Sequence, residues 1–156
     1  MEFEQIYNSY WAKIYRLCLG YLGDEAAAQD LAQETFITVW QKLPEFRQEA
    51  SINTWIFRIA TNKCLRHIKS NKNKFNAEIP VHLSEEKSSN EEKNLQLLHK
   101  FIAELPELER LIISLELENI NQAEIATIVG ISESNTRVRI YRIKEKLKTK
   151  FENHGK

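Results

Sequence analysis

Glycine and proline are scarce, with 4 and 3 residues among 156. Tight turns depend on them, so a many-stranded sheet is disfavoured and helices are expected. Two cysteines, Cys18 and Cys64, are too few for a disulfide framework. Both fall among apolar residues of predicted helices, where cysteine serves as a small core residue. No apolar run approaches the roughly 20 residues that span a bilayer. The opening MEFEQIYNSYW is acidic and polar, unlike a secretory signal. A cytoplasmic protein is therefore expected. The four histidines, His67, His82, His99 and His154, are scattered without paired metal-ligand spacing. A Gly-rich phosphate loop is missing, and neither cysteine has a His and an acid in triad order. These gaps argue against an enzyme, a cofactor and a metal site.

Net charge is also missing, since 22 basic side chains balance 22 acidic ones. The balance hides an alternation. Residues 1–45 carry −4, residues 46–74 carry +6, residues 75–130 carry −7 and residues 131–150 carry +5. Two basic blocks on acidic supports suit a polyanion gripped at two places with weak background binding. Two solvated helix faces would give the same pattern.

What is present is enough for a core, at 42% apolar residues. Residues 3–22 carry apolar groups at helical spacing. Gly23-Asp24 breaks the pattern, and Asp24 is placed to cap a second helix over 25–43, which Pro44 stops. The loop EFRQEAS leads to a third helix over about 52–70. Residues 70–94 are polar and lack a helical period, as a linker does. Helices are then predicted over 95–105, over 107–119 with Pro106 at its start, and in a final pair. The fold class is all-α, with two small helical domains, 1–70 and 95–156, joined by a flexible linker over 71–94.

The final pair lies in NQAEIATIVGISESNTRVRIYRIKEKLK, residues 121–148. Asn121 can cap the first helix, with Glu124 in a capping-box position. Ile125, Ile128 and Val129 face inward, and Gly130 ends the helix in the left-handed conformation. Ser132 caps the next helix. This is the helix-turn-helix pattern. On the last helix Thr136, Ile140, Ile143, Leu147 and Phe151 form the inward stripe. Ser134, Val138, Tyr141 and Arg142 lie opposite, flanked by Arg137 and Arg139. Arginine can grip guanine and an apolar group can pack on a thymine methyl, so this face suits a major groove. Lys144, Lys146, Lys148 and Lys150 lie further along, placed to meet phosphates. Helix pairs of this kind also occur in plain bundles.

The third helix sorts into an inward face of Phe57, Ala60, Thr61, Cys64 and Ile68 and an outward face of Trp55, Arg58, Ile59, Asn62, Arg66 and Lys69. An aromatic among cations suits single-stranded nucleic acid, and the loop from Phe46 to Ser51 is placed to receive an unstacked base. Trp55 is equally at home as a packing residue. On the second helix Ala32, Phe36, Val39, Trp40 and Leu43 form the expected buried stripe. Asp30, Gln33, Glu34, Ile37 and Gln41 form a polar face with one apolar residue at its centre. That face is either solvated surface or a docking site for a partner helix.

Three blocks in order, QDLAQETFITVWQKL, INTWIFRIATNKCLRHIK and the helix-turn-helix, resemble the extracytoplasmic-function sigma factors of the sigma-70 family. The resemblance covers nearly the whole chain, with region 2 over about 3–70 and region 4 over about 97–150. It implies a transcription initiation factor that carries core RNA polymerase to promoters. Asp30, Gln33, Glu34, Ile37 and Gln41 then dock on the clamp helices of the largest subunit. Phe46, Arg47, Ser51, Trp55, Arg58, Asn62, Arg66 and Lys69 melt and capture the −10 element. Ser134, Asn135, Arg137, Val138, Arg139, Tyr141 and Arg142 read the −35 element, with region 4 on the polymerase flap. The acidic linker would mimic nucleic acid on its way to the RNA exit path, and an anti-sigma factor is a further partner. Thr136 departs from the apolar residue usual there, so promoter preference does not transfer. The rival reading is a stand-alone helix-turn-helix regulator, which leaves the face of Trp55 unused.

Overall fold

The computed structural model describes residues 2–71 and 90–155, apart from the side chains of 68–71. Seven α-helices and one 3-10 turn account for most of the described residues, and no strand occurs among them. They are α1 (Phe3–Leu22), α2 (Glu25–Lys42), α3 (Ile52–Asn71), α4 (Asn90–Ala103), α5 (Glu107–Leu117), α6 (Gln122–Val129) and α7 (Glu133–His154), with the 3-10 turn Leu43–Glu45 after α2. The all-α expectation holds. The bounds differ in detail. α4 begins at Asn90, so residues 90–94, expected in the linker, are helical. Glu91 and Glu92 in its first turn favour the positive end of the helix dipole. Pro44 sits inside the 3-10 turn and Pro106 caps α5. The rest of the linker, 72–89, lies outside the described residues.

Local chemistry sets the helix ends. The Asp24 carboxylate accepts from the Ala26 amide at 3.0 Å and starts α2. Ser51 accepts from the Thr54 amide at 3.1 Å and starts α3. Asn121 and Ser132 do the same for α6 and α7, at 2.8 and 3.1 Å. Gly23 and Gly130 close α1 and α6 with φ of 72° and 84°, a region where a Cβ is costly. The reciprocal half of the capping box at Asn121 is not made. The Glu124 side chain instead accepts from Asn53 Nδ2 at 3.1 Å, across to α3.

Helices α1–α3 pack into one half. Phe36 of α2 meets Tyr7 edge-on at 5.1 Å and Trp11 at 5.8 Å, and Phe57 of α3 meets Tyr10 at 6.4 Å. Cys18 and Cys64 are both free and buried. A hydrogen bond with Cys18 and burial hold the Cys64 thiol well above its usual range, as befits an inert core pair. Helices α4–α7 form the other half around Leu111, Ile112, Leu115, Ile125, Ile140 and Ile143. Phe101 and Phe151 meet perpendicularly at 4.9 Å and close its open end. Thr136 is fully buried on the inward stripe, and its hydroxyl donates to the Ser132 carbonyl at 2.9 Å. That bond satisfies the polar atom, so threonine fits an apolar position.

The two halves touch directly, which the sequence did not foretell. α1 lies against α4 and α5, and α3 lies against α6. Arg16 makes a two-pronged bridge to Glu118, with Nη2 to Oε2 at 3.0 Å. Arg110 of α5 lies over the Tyr21 ring at 5.2 Å. Burial, then Glu107, push the Tyr21 phenol up to about 12.

Phe57→Ala should cost about 3–5 kcal/mol of stability, because its ring is wholly buried. Asp24→Ala should cost only about 1 kcal/mol. Urea unfolding followed by circular dichroism would rank the two, and equal losses would refute this account of the first half.

Candidate nucleic-acid interface

Three surfaces carry the expected residues. The first lies where α2 runs through the 3-10 turn into α3. Phe46 and Trp55 pack ring on ring at 4.7 Å. Beside them a cavity of about 590 Å³ is lined by Leu43, Phe46, Gln48, Glu49, Ala50, Ser51 and Ile52. Its mixed polar and apolar wall beside an aromatic pair can receive an unstacked base. Gln48 takes a positive φ of 58°, strained for a residue with a Cβ, and such strain gathers at functional loops.

The eight residues expected here do not converge equally. Phe46 and Ser51 line the cavity and Trp55 backs it through Phe46. Arg47, next to Phe46 in the chain, is exposed, and so are Asn62 and Arg66 further along α3. The Ser51 hydroxyl is already engaged with Thr54, accepting from its amide and bonding its hydroxyl at 3.0 Å. Its first duty is therefore the cap of α3. Arg58 is half-buried at the seam between the halves, where Nη2 donates to the Thr127 carbonyl at 3.4 Å. The Lys69 side chain lies outside the described residues.

The second surface is the outer face of α7. Ser134, Asn135, Arg137, Val138, Tyr141 and Arg142 are exposed, and Arg139 is half-buried. Val138 and Tyr141 stand 45% and 67% exposed, an apolar pair between arginines that a plain solvated face would not retain. Asn135 accepts from Arg139 Nε at 3.2 Å and aims that guanidinium along the helix. The lysines beyond carry a second set of contacts. Lys144, Lys146 and Lys150 pair with Glu116, Glu109 and Glu104 at 3.1, 3.0 and 2.6 Å. They tie α7 to α5 and to the turn after α4, so of the four lysines expected on phosphates only Lys148 has no carboxylate bridge.

The third surface is on α2. Asp30, Gln33, Glu34, Ile37 and Gln41 are all exposed on one side. Trp40 joins them. It was expected in the buried stripe, yet it is 62% exposed, beside Ile37 at 56%. The inward positions are filled by Leu31, Ala32, Thr35, Phe36 and Val39. Trp40 lies at the edge of that stripe and stays largely in solvent. Periodicity missed it because a tryptophan bordering an apolar stripe reads as part of that stripe.

The chain matches two family models, Sigma-70 region 2 over residues 6–74 and Sigma-70, region 4 over residues 95–147. It is 30% identical to the RNA polymerase sigma-H factor of Pseudomonas aeruginosa, covering 92% of this chain and 82% of that protein. It is 25% identical to the ECF RNA polymerase sigma factor SigM of Bacillus subtilis, over 97% and 96% of the two chains. Among solved structures it is similar to the sigma factor RpoE from Bartonella quintana in complex with the anti-sigma factor NepR. That match has a TM-score of 0.80 at 19% identity and covers 94% of each chain, so it takes in both halves.

Two binding measurements test the surfaces. Arg142→Ala should weaken binding to a preferred duplex by about 1–3 kcal/mol and to a scrambled duplex far less. Trp55→Ala should weaken binding to a single-stranded oligonucleotide by about 1–3 kcal/mol in fluorescence anisotropy. Equal losses on every duplex, or no loss on the single strand, would remove those residues from base contact.

Proposed function

Because the chain belongs to the extracytoplasmic-function group of the sigma-70 family, we propose that its three surfaces divide the work of promoter selection. The protein is a transcription initiation factor that binds core RNA polymerase and directs it to promoters. In this reading residues 1–70 dock polymerase and capture the −10 element, residues 71–94 connect, and residues 95–156 read the −35 element.

The observation that carries the reading is the pair Ile37 and Trp40, exposed one turn apart on a helix otherwise polar on that side. Two large apolar groups rimmed by Asp30, Gln33, Glu34 and Gln41 make a hot spot for a partner helix. That helix belongs to the clamp of the largest polymerase subunit. A stand-alone DNA-binding regulator has no use for such a face. On docking, the Phe46–Trp55 pair supplies a stacking platform for a −10 base, and Arg47, Asn62, Arg66 and Lys69 hold the backbone of the separated strand. Helix α7 enters the major groove of the −35 element, with Arg137, Arg139 and Arg142 on base edges and phosphates and Val138 and Tyr141 on apolar contacts. Its domain rests on the polymerase flap.

The polymerase does the chemistry, and this chain acts as its regulatory subunit, in the cytoplasm where the polymerase works. An anti-sigma factor is the partner expected to hold it in check, as NepR forms a complex with the RpoE of Bartonella quintana.

Transcription with core polymerase on random promoter fragments tests the function. Initiation at specific sites only in the presence of the protein is expected. Tight duplex binding by the protein alone, with no stimulation, would favour a stand-alone regulator. Ile37→Asp and Trp40→Asp should each weaken polymerase binding at least tenfold, or about 1.4 kcal/mol. Unchanged helicity would separate this loss from unfolding, and retained binding would move the docking face elsewhere.

A further inference from the structure

Two of the bridged lysines of α7 stand beside the face proposed to read the −35 element. Tyr141, Arg142, Glu145, Lys146, Thr149 and Lys150 line one shallow depression of about 530 Å³ on that helix. At 100° per residue Lys146 and Lys150 lie within about 80° of Arg142, whereas Lys144 lies about 160° away. Phosphate rows flank a major groove, so a cation beside a base-reading arginine stands where a phosphate passes. Both lysines are already engaged. Lys146 Nζ donates to the two carboxylate oxygens of Glu109 on α5, at 3.2 and 3.0 Å. Lys150 Nζ donates to Glu104, in the turn after α4, at 2.6 Å and lies 5.9 Å from the centre of the Phe101 ring.

From this we infer that Glu109 and Glu104 are determinants of DNA selectivity, which hold Lys146 and Lys150 and so withhold two phosphate contacts from the reading face. The inference rests on the −35 reading proposed above. Its physical ground is what each kind of contact can distinguish. A lysine on a phosphate adds affinity for every duplex alike, whereas a base contact adds it for one sequence. Two further phosphate contacts would spread the chain over bulk DNA, where non-promoter sites vastly outnumber promoters. Within the depression Arg142 and Glu145 already offset each other, and with both bridges made no net charge is left there. Neutral residues in place of Glu104 and Glu109 would leave an excess of positive charge facing the duplex.

The bridges have the strength this role needs. The Lys146 and Glu109 side chains are 50% and 17% exposed, and those of Lys150 and Glu104 are 32% and 49% exposed. Ion pairs so open to water are worth at most about fivefold in an equilibrium. That biases each lysine toward its carboxylate without making the fold depend on the pair. The helix is anchored instead by Ile140, Ile143 and Leu147, all buried.

The test uses the full chain with a scrambled duplex and with the preferred duplex, read by fluorescence anisotropy from low to high salt. Glu109→Gln and Glu104→Gln should each tighten binding to the scrambled duplex about two- to fivefold. Each should also steepen the slope of log affinity against log salt by about one phosphate contact, and the double variant by about two. Glu109→Gln combined with Lys146→Gln should return the slope to the wild-type value, because the released cation is gone. Glu116→Gln serves as the control. It releases Lys144, which stands off the reading face, and should leave the slope unchanged. With core polymerase and excess competitor DNA, the double variant Glu104→Gln, Glu109→Gln should lose more than about twofold in promoter initiation, while initiation without competitor is kept. Circular dichroism would show unchanged helicity in each variant. An unchanged slope in both single variants, or an equal steepening by Glu116→Gln, would overturn the inference. Failure of the −35 reading would show differently, as an Arg142→Ala chain that binds both duplexes as the wild type does, and the role of the two carboxylates would fall with it.

Discussion

Between residues 14 and 22, α1 is enclosed from both sides, with Ile14, Leu17, Cys18, Tyr21 and Leu22 all buried. α2 and α3 cover one side, and α5 covers the other at the bare Cα of Gly20. α3 joins the halves as well, packing on α1 and α2 and meeting α6. Burial of apolar area drives such packing without directional demand. Direction comes from the polar groups at the margin, where the Arg16–Glu118 fork and the Asn53–Glu124 bond fix how the halves meet.

The working surfaces are arranged around that wall, and each is kept out of the core by a different device. On α2 the inward positions are taken by small or apolar groups, which leaves Ile37 and Trp40 outside. At the start of α3 the Ser51 cap and the strained backbone of Gln48 shape a short loop around a cavity beside the Phe46 ring. On α7 three lysines bridge to Glu116, Glu109 and Glu104, which braces the helix. The arginines nearer its start stay available. Acidic segments therefore do more than balance charge. Glu116, Glu109 and Glu104 hold the basic helix in place through its lysines.

A fully apolar, fully satisfied interface would fuse the halves into one body. A wholly polar one would leave them apart. The observed seam combines buried apolar neighbours with Tyr21 Oη, Ser114 Oγ and Arg110 Nε, buried without a hydrogen bond. Such a mixture packs the halves less favourably than a fully satisfied apolar interface would.

Much was legible from the chain alone because helices write their faces at a short period. The α6–α7 turn, with Asn121, Gly130 and Ser132 at its joints, follows from local hydrogen bonding within a few residues. The outward face of α7 and the polar face of α2 follow from the 100° step of the helix. The sequence determined the all-helical class, the helix-turn-helix and the family to which these faces belong. Only the tertiary structure decided that Trp40 is outside, that Arg58 lies at a seam, that Glu124 reaches α3 and that the lysines of α7 serve as braces. The bonds of Arg58, Glu124 and the lysines join residues 28 to 71 positions apart in the chain. Periodicity reports which face is apolar, but which face is covered is settled by what packs against it.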